Sequence, residues 1–100
     1  MYQLQQTVSF QKWLKRISDA ETKARLVRRI ERLRCGNLGD HRSLGGGLLE
    51  LREHFGPGYR IYVTFVSGRV IGVLYGGDKR TQWRDIAQAR KLIDGNGGEA

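Results

Sequence analysis

Arg52, Arg60, Tyr62, Lys79 and Arg80, with His54 and Gln82 close by, form a set of cations and hydroxyl or amide donors. Such a set is poor at most metal-free acid–base work at neutral pH. It suits a substrate whose negative charge grows during reaction, such as a phosphodiester. RNA carries its own nucleophile, the 2′-hydroxyl, so a protein can cut it without a metal by aligning that hydroxyl and stabilising the phosphorane-like charge. Guanidinium is planar, permanently charged and matched to pairs of phosphate oxygens. One well-placed donor to developing charge is worth about 3 kcal/mol, or two decades of rate. A lysine whose proton is loosened by neighbouring cations can also act as a base.

Other chemistries find little support. His41 and His54 are far apart in sequence and Cys35 has no partner at ligand spacing, so no metal is expected. Neither GxGxxG nor GxxxxGK[ST] occurs, and no Ser-His-Asp, Cys-His or paired-carboxylate arrangement stands out. No cofactor is expected.

The stretch that must position these residues is Leu48 to Lys79, LLELREHFGPGYRIYVTFVSGRVIGVLYGGDK. It reads as three antiparallel strands. Gly56-Pro57-Gly58 and Ser67-Gly68 are the turns, and the residues between are rich in Val, Ile, Tyr, Phe and Leu. Side chains alternate faces along a strand. Leu49, Leu51, Phe55, Ile61, Val63 and Phe65 therefore make one apolar face. Leu48, Glu50, Arg52, His54, Arg60, Tyr62 and Thr64 make the other. A three-residue loop pairing Phe55 with Tyr59 would set Arg52 opposite Tyr62 and His54 opposite Arg60.

Upstream, Tyr2 to Thr7 reads as a short edge strand. Ser9 then caps a helix carrying Phe10, Trp13, Leu14 and Ile17 at amphipathic spacing. Ser18-Asp19-Ala20-Glu21 matches a capping box for a second helix, from about Asp19 to Cys35, with Ala20, Ala24, Val27, Ile30 and Leu33 as its apolar stripe, helped by Leu26. Gly36-Asn37 ends it. The two helices should form a hairpin over the apolar sheet face. Asn37 to Gly47 reads as a connector whose Gly45-Gly46-Gly47 run allows a bulge or close backbone approach, with His41 and Arg42 exposed. Downstream, Thr81 caps a last helix carrying Trp83, Ile86, Ala87 and Ile93, with Trp83 in the core and the helix lying over Ile71 and Val73. The reading is one α+β domain over residues 1–94, an N-terminal helical hairpin on a small twisted antiparallel sheet with a C-terminal helix. Residues 95–100 read as a frayed tail.

Eighteen Lys and Arg against ten Asp and Glu give a net charge of +8. That surplus favours a polyanionic partner. From Lys12 to Arg34 there are nine cations and three anions, which reads as a phosphate-contacting ridge rather than a merely solvated surface. Lys12, Lys15, Arg16, Lys23 and Arg28, with Arg80 and Gln82, are the candidate RNA-binding residues. The single cysteine and the absence of a long apolar run or a secretory leader point to a cytoplasmic protein without membrane contact.

GLLELREHFGPGYRIYV followed by VLYGGDKRTQWRDIAQA resembles the HigB-like branch of the RelE/ParE toxin superfamily, and the upstream segment WLKRISDAETKARLVRRIERLRCGNLGDHRSLGGGLLELR does so too. The likeness runs to about Asp94. It implies a RelE-like fold and a toxin of a type II toxin–antitoxin system, one that enters the ribosome and cleaves mRNA without metal. Arg52, Arg60 and Lys79 are the catalytic residues it implies, with Tyr62 and His54 as candidates for moving the proton. Well-studied relatives carry a late tyrosine or histidine, and none follows the GGDK segment here. The resemblance also implies a small helix-turn-helix antitoxin as partner, with DNA contacted only through it. Two alternatives stand beside this reading: a ParE-type inhibitor of DNA gyrase, and a non-catalytic basic nucleic-acid-binding module.

Overall fold

The first six residues alternate between exposure and partial burial, and the last four of them form β1 (Gln3–Gln6), with Leu4 packed on the core. The computed structural model describes residues 1–94, and the expected frayed tail at 95–100 lies outside them. β1 is followed by α1 (Val8–Arg16), α2 (Ala20–Arg34), β2 (His41–Gly45), β3 (Leu48–Arg52), β4 (Tyr59–Phe65), β5 (Val70–Asp78), a 3-10 turn (Lys79–Thr81) and α3 (Gln82–Asp94).

The sheet has five strands in the order β1-β5-β4-β3-β2. β1 runs parallel to β5, with Gln3 beside Val70, and the remaining pairs are antiparallel. The expected N-terminal helical hairpin on an antiparallel sheet is therefore corrected. The chain begins with a strand, both α1 and α2 come after it, and the sheet is mixed. The direction of a pairing between the first strand and the last leaves no local periodicity to read.

β2 corrects the connector. HRSLG is polar and largely exposed, so it lacks the apolar alternation that marks a strand. It forms because Gly46 and Gly47, at φ of 61° and 85°, make a two-residue turn between Gly45 and Leu48. Two positive φ values are what a tight hairpin of this hand requires.

The expected register between β3 and β4 shifts as well. Arg52 pairs with Arg60, and Glu50 pairs with Tyr62. The loop is longer than three residues and closes with the Glu53 N–H donating to Tyr59 O at 2.9 Å, which leaves His54 outside the ladder.

Core packs on both faces of the sheet. Phe10, Leu26, Ile30 and Leu33 from α1 and α2 meet Leu51, Ile61, Val63, Ile71 and Val73. On the opposite face, Ala89 of α3 meets Leu48, Tyr62 and Leu74. The last helix thus covers Leu74 rather than Ile71 and Val73, because the register of β5 slips between Tyr62 and Val63. The stripe of α2 is Leu26, Arg29, Ile30 and Leu33, while Ala20, Ala24 and Val27 face outward. Thr7 and Asp19, not Ser9 and Ser18, cap α1 and α2. Asp78 caps the 3-10 turn that leads into α3, and Thr81, expected to cap α3, is the last residue of that turn, its hydroxyl donating to Asp85. Trp83, expected in the core, is 90% exposed. Asp85 and Ala89 occupy the buried face of α3 instead. No helix among the described residues is long and apolar enough to cross a membrane.

Candidate functional site

Arg52 and Arg60 stand opposite each other on β3 and β4, and Arg60 stands beside Gly77 on β5. Directly opposed residues of an antiparallel pair share a face, so both guanidinia rise on the α3 side. Lys79 follows immediately after β5. Its N–H donates to Gly58 O at 3.0 Å, and its stem crosses over Gly58. A Cβ at Gly58 would sit 2.7 Å from Lys79 Cδ and 3.6 Å from Arg60 Nη1. Gly58 also has a φ of 81°. Glycine is required here twice over, by conformation and by space. The three cations assigned to catalysis therefore gather at one rim of the sheet.

They differ in freedom. Lys79 is exposed. Arg60 is 5% exposed, and its Nη1 donates to Tyr59 O at 3.0 Å and to Glu53 O at 3.3 Å. Arg52 reaches Asp40 Oδ1 at 3.5 Å. The Nε atoms of Arg52 and Arg60 are both buried without an acceptor.

Behind the rim lies a carboxylate that the sequence reading passed over as a site residue. Glu50 is wholly buried. Its Oε2 accepts from Gln82 Nε2 at 2.6 Å and from the Tyr62 hydroxyl at 3.3 Å. Its Oε1 faces Arg42 Nη2 at 3.5 Å and has no hydrogen bond. Strand parity already put Glu50 on the face of Arg52 and Tyr62, and that was the available signal. Burial pushes the Tyr62 phenol above its ordinary range, and the charges of Glu50 and Asp85 push it further. Tyr62 is thus a neutral donor bracing Glu50, and it is no base. Gln82 is spent on the same carboxylate.

His54 is exposed, and its Nε2 contacts the Asp40 carboxylate. The hydrogen bond from His54 holds Asp40 below the ordinary carboxylate range, and the Arg52 charge adds to it. Arg80 is paired with Asp78 at 3.0 Å. That pairing lowers Asp78 and raises Arg80.

The basic run of α1 and α2 divides. Lys12, Lys15, Arg16 and Arg28 are exposed and Lys23 is half-buried. Two others are engaged with the fold. Arg25, exposed, lies 3.7 Å over the Phe55 ring. Arg29, which the sequence reading counted only as surface charge, is 4% exposed. It forms an ion pair with Glu53 and donates to Arg52 O at 3.0 Å, Leu38 O at 2.9 Å and Asp40 O at 2.7 Å. One guanidinium thereby ties the end of β3, and so the base of Arg52, to the loop holding Asp40. No local pattern separates Arg29 from its neighbours except helical phase, since it sits three residues after Leu26.

A cleft of ≈ 480 Å³ opens beside the rim, between the end of α1 with the start of α2 and the end of β5 with the start of α3. Arg16, Trp13, Tyr59, Gly76, Gly77 and Asp85 are among its walls. Gly77 lets α3 approach, because a Cβ there would lie 1.8 Å from Asp85 Oδ2. Burial raises the Asp85 carboxyl, opposed by the hydrogen bond from the Thr81 hydroxyl.

No family model and no solved structure matches the chain. A protein of Haemophilus influenzae, named only as uncharacterized, is 42% identical over 90 residues, which are 90% of this chain and 91% of that protein.

Proposed function

The chain belongs to the same family as the uncharacterized Haemophilus influenzae protein, and we propose that it is the toxin of a type II toxin–antitoxin pair, of the HigB-like kind its motifs resemble, which cleaves mRNA on the ribosome without a metal. The observation that carries this reading is the rim itself. Two arginines on adjacent strands and a lysine at the next strand end stand together, with Lys79 exposed and the Arg52 side chain 33% exposed, so the cluster presents cationic donors to a phosphodiester at the surface.

Arg52 and Arg60 hold the non-bridging oxygens of the scissile phosphate. The 2′-oxygen attacks phosphorus and gives its proton to water. The bond from phosphorus to the 5′-oxygen breaks. Lys79, the most accessible of the three, donates a proton to that leaving oxygen. The products are a 2′,3′-cyclic phosphate and a 5′-hydroxyl. Arg29 and the Glu50–Tyr62–Gln82 set hold the rim in place without touching RNA. The exposed cations of α1 and α2 supply the salt-dependent grip on ribosomal RNA. The partner that silences the rim is a helix-turn-helix antitoxin whose acidic segment covers it, and the complex works in the cytoplasm.

The test is induction of the protein in cells, with primer extension on cellular mRNA. New ends bearing 5′-hydroxyls are the expected result. Arrested growth with intact transcripts would sink the reading.

One observation favours a second reading. Tyr62 is sealed against Glu50, and His54 is held on the Asp40 carboxylate that also pairs with Arg52, so both aromatic candidates are already engaged with a carboxylate. A toxin that inhibits DNA gyrase needs no such group. Induction of the DNA-damage response with undamaged mRNA is its signature.

A further inference from the structure

Trp83 is 90% exposed. An indole offers a large apolar face with a polar N–H edge, the reason tryptophan is enriched at interfaces. The other tryptophan, Trp13, is half-buried against Phe10 and Tyr59. Trp83 is also held on a rigid support. The residue before it, Gln82, is bonded to buried Glu50, and Asp85 two residues on is buried against Gly77 and bonded to Thr81. The backbone is pinned on both sides while the indole projects outward.

Its charged neighbours are of one sign toward solvent. The side chains of Arg80 and Arg84 are 77% and 74% exposed, whereas those of their partners Asp78 and Asp85 are only 15% and 3% exposed. Lys79, four residues back along the chain, is on the rim. An exposed ring beside outward cations is the pattern of a platform for single-stranded nucleic acid. Stacking serves any base, and the cations follow the backbone.

We propose that Trp83 is a stacking platform for an unpaired base of the RNA strand whose phosphate docks on Arg52, Arg60 and Lys79. This rests on the RNA reading of the rim and adds a base-contacting surface to it. The positive flank makes a polyanion a better occupant of this surface than an apolar protein partner.

The probe is a short single-stranded 2′-O-methyl RNA, which binds but has no attacking hydroxyl. Binding should quench the tryptophan emission of the wild-type protein, and most of that quenching should be missing in Trp83→Phe. Trp83→Ala should bind about tenfold more weakly, and Trp83→Phe should keep most of the affinity. The salt dependence should be unchanged in Trp83→Ala and shallower in Lys79→Ala. Binding without quenching, equal affinity in Trp83→Ala, no RNA binding at all, or a Trp83→Ala defect confined to a protein partner would each overturn the platform. The readout does not depend on cleavage. Quenching in a protein that leaves mRNA intact keeps the platform and removes the nuclease, while mRNA cleavage with unaltered RNA affinity in Trp83→Ala does the reverse.

Discussion

Arg52 and Arg60 are direct partners across β3 and β4, two like charges set side by side at a sheet rim. Like charges directly opposite destabilise a sheet. Asp40 offsets Arg52 from one side at 3.5 Å, and Arg60 is surrounded by the carbonyls of Glu53 and Tyr59. The pair is arranged so that an anion between them would relieve it. Arg52→Ala and Lys79→Ala are both outside the core. Each should lower mRNA cleavage by about two decades and release growth arrest, with an unchanged circular dichroism spectrum. Full toxicity in both variants would place the chemistry elsewhere.

Arg29 holds four groups at once, and Glu53, whose side chain is 14% exposed, would lose its ion-pair partner without it. Arg29→Ala should cost about 3–5 kcal/mol in urea unfolding. Arg29→Lys should recover little, because an ammonium cannot reproduce the planar fork. A loss below 1 kcal/mol, within the range of a surface pair, would mean that the loop around Asp40 is held by other contacts.

Gly77→Ala would drive a methyl to 1.8 Å from Asp85 Oδ2, which Thr81 holds in place. Overpacking of this kind costs about 1–3 kcal/mol or more, and the thermal midpoint should fall accordingly. Gly68→Ala, with nothing within 4 Å of the added atom, is the control and should melt like the wild type.

Two carboxylates should give opposite pH signatures. Arg80 lowers Asp78 in the folded state. Its contribution is therefore complete above the ordinary carboxylate range and is lost as pH falls through the lowered value. Asp78→Asn should be less stable than wild type at neutral pH and converge with it in acid. Burial raises Asp85, so folding favours its protonated form, and stability is lost as pH rises from the ordinary range through the raised value. Asp85→Asn should gain on wild type over that rise. Chemical denaturation between pH 3 and pH 7, a window on the order of the carboxylate range and neutrality, separates the two. Parallel curves for both variants would refute the assignment.

Some of this was open to reading in the sequence. The glycine turn before Tyr59, the extent of α2 to within a residue at each end, and the strand parity of Glu50, Arg52, Arg60 and Tyr62 follow from local rules. Trp83 went astray because an apolar residue at helical spacing looks like core, and only the phase of α3 against the sheet decides which side faces inward. Arg29 was hidden for the converse reason, as a cation among cations that happens to face the core.

By itself, the sequence determined what its short-range chemistry dictates: which segments coil or extend, where the chain must turn, and which cations share a strand face. Tertiary structure alone decided that β1 runs parallel to β5, that polar β2 completes the other edge, and that Glu50 is sealed beneath α3. The physical reason is range. Propensity and periodicity act over a few residues, whereas strand direction, helix phase and the burial of a charge are settled by groups far apart along the chain, whose pairing energy appears only once they meet.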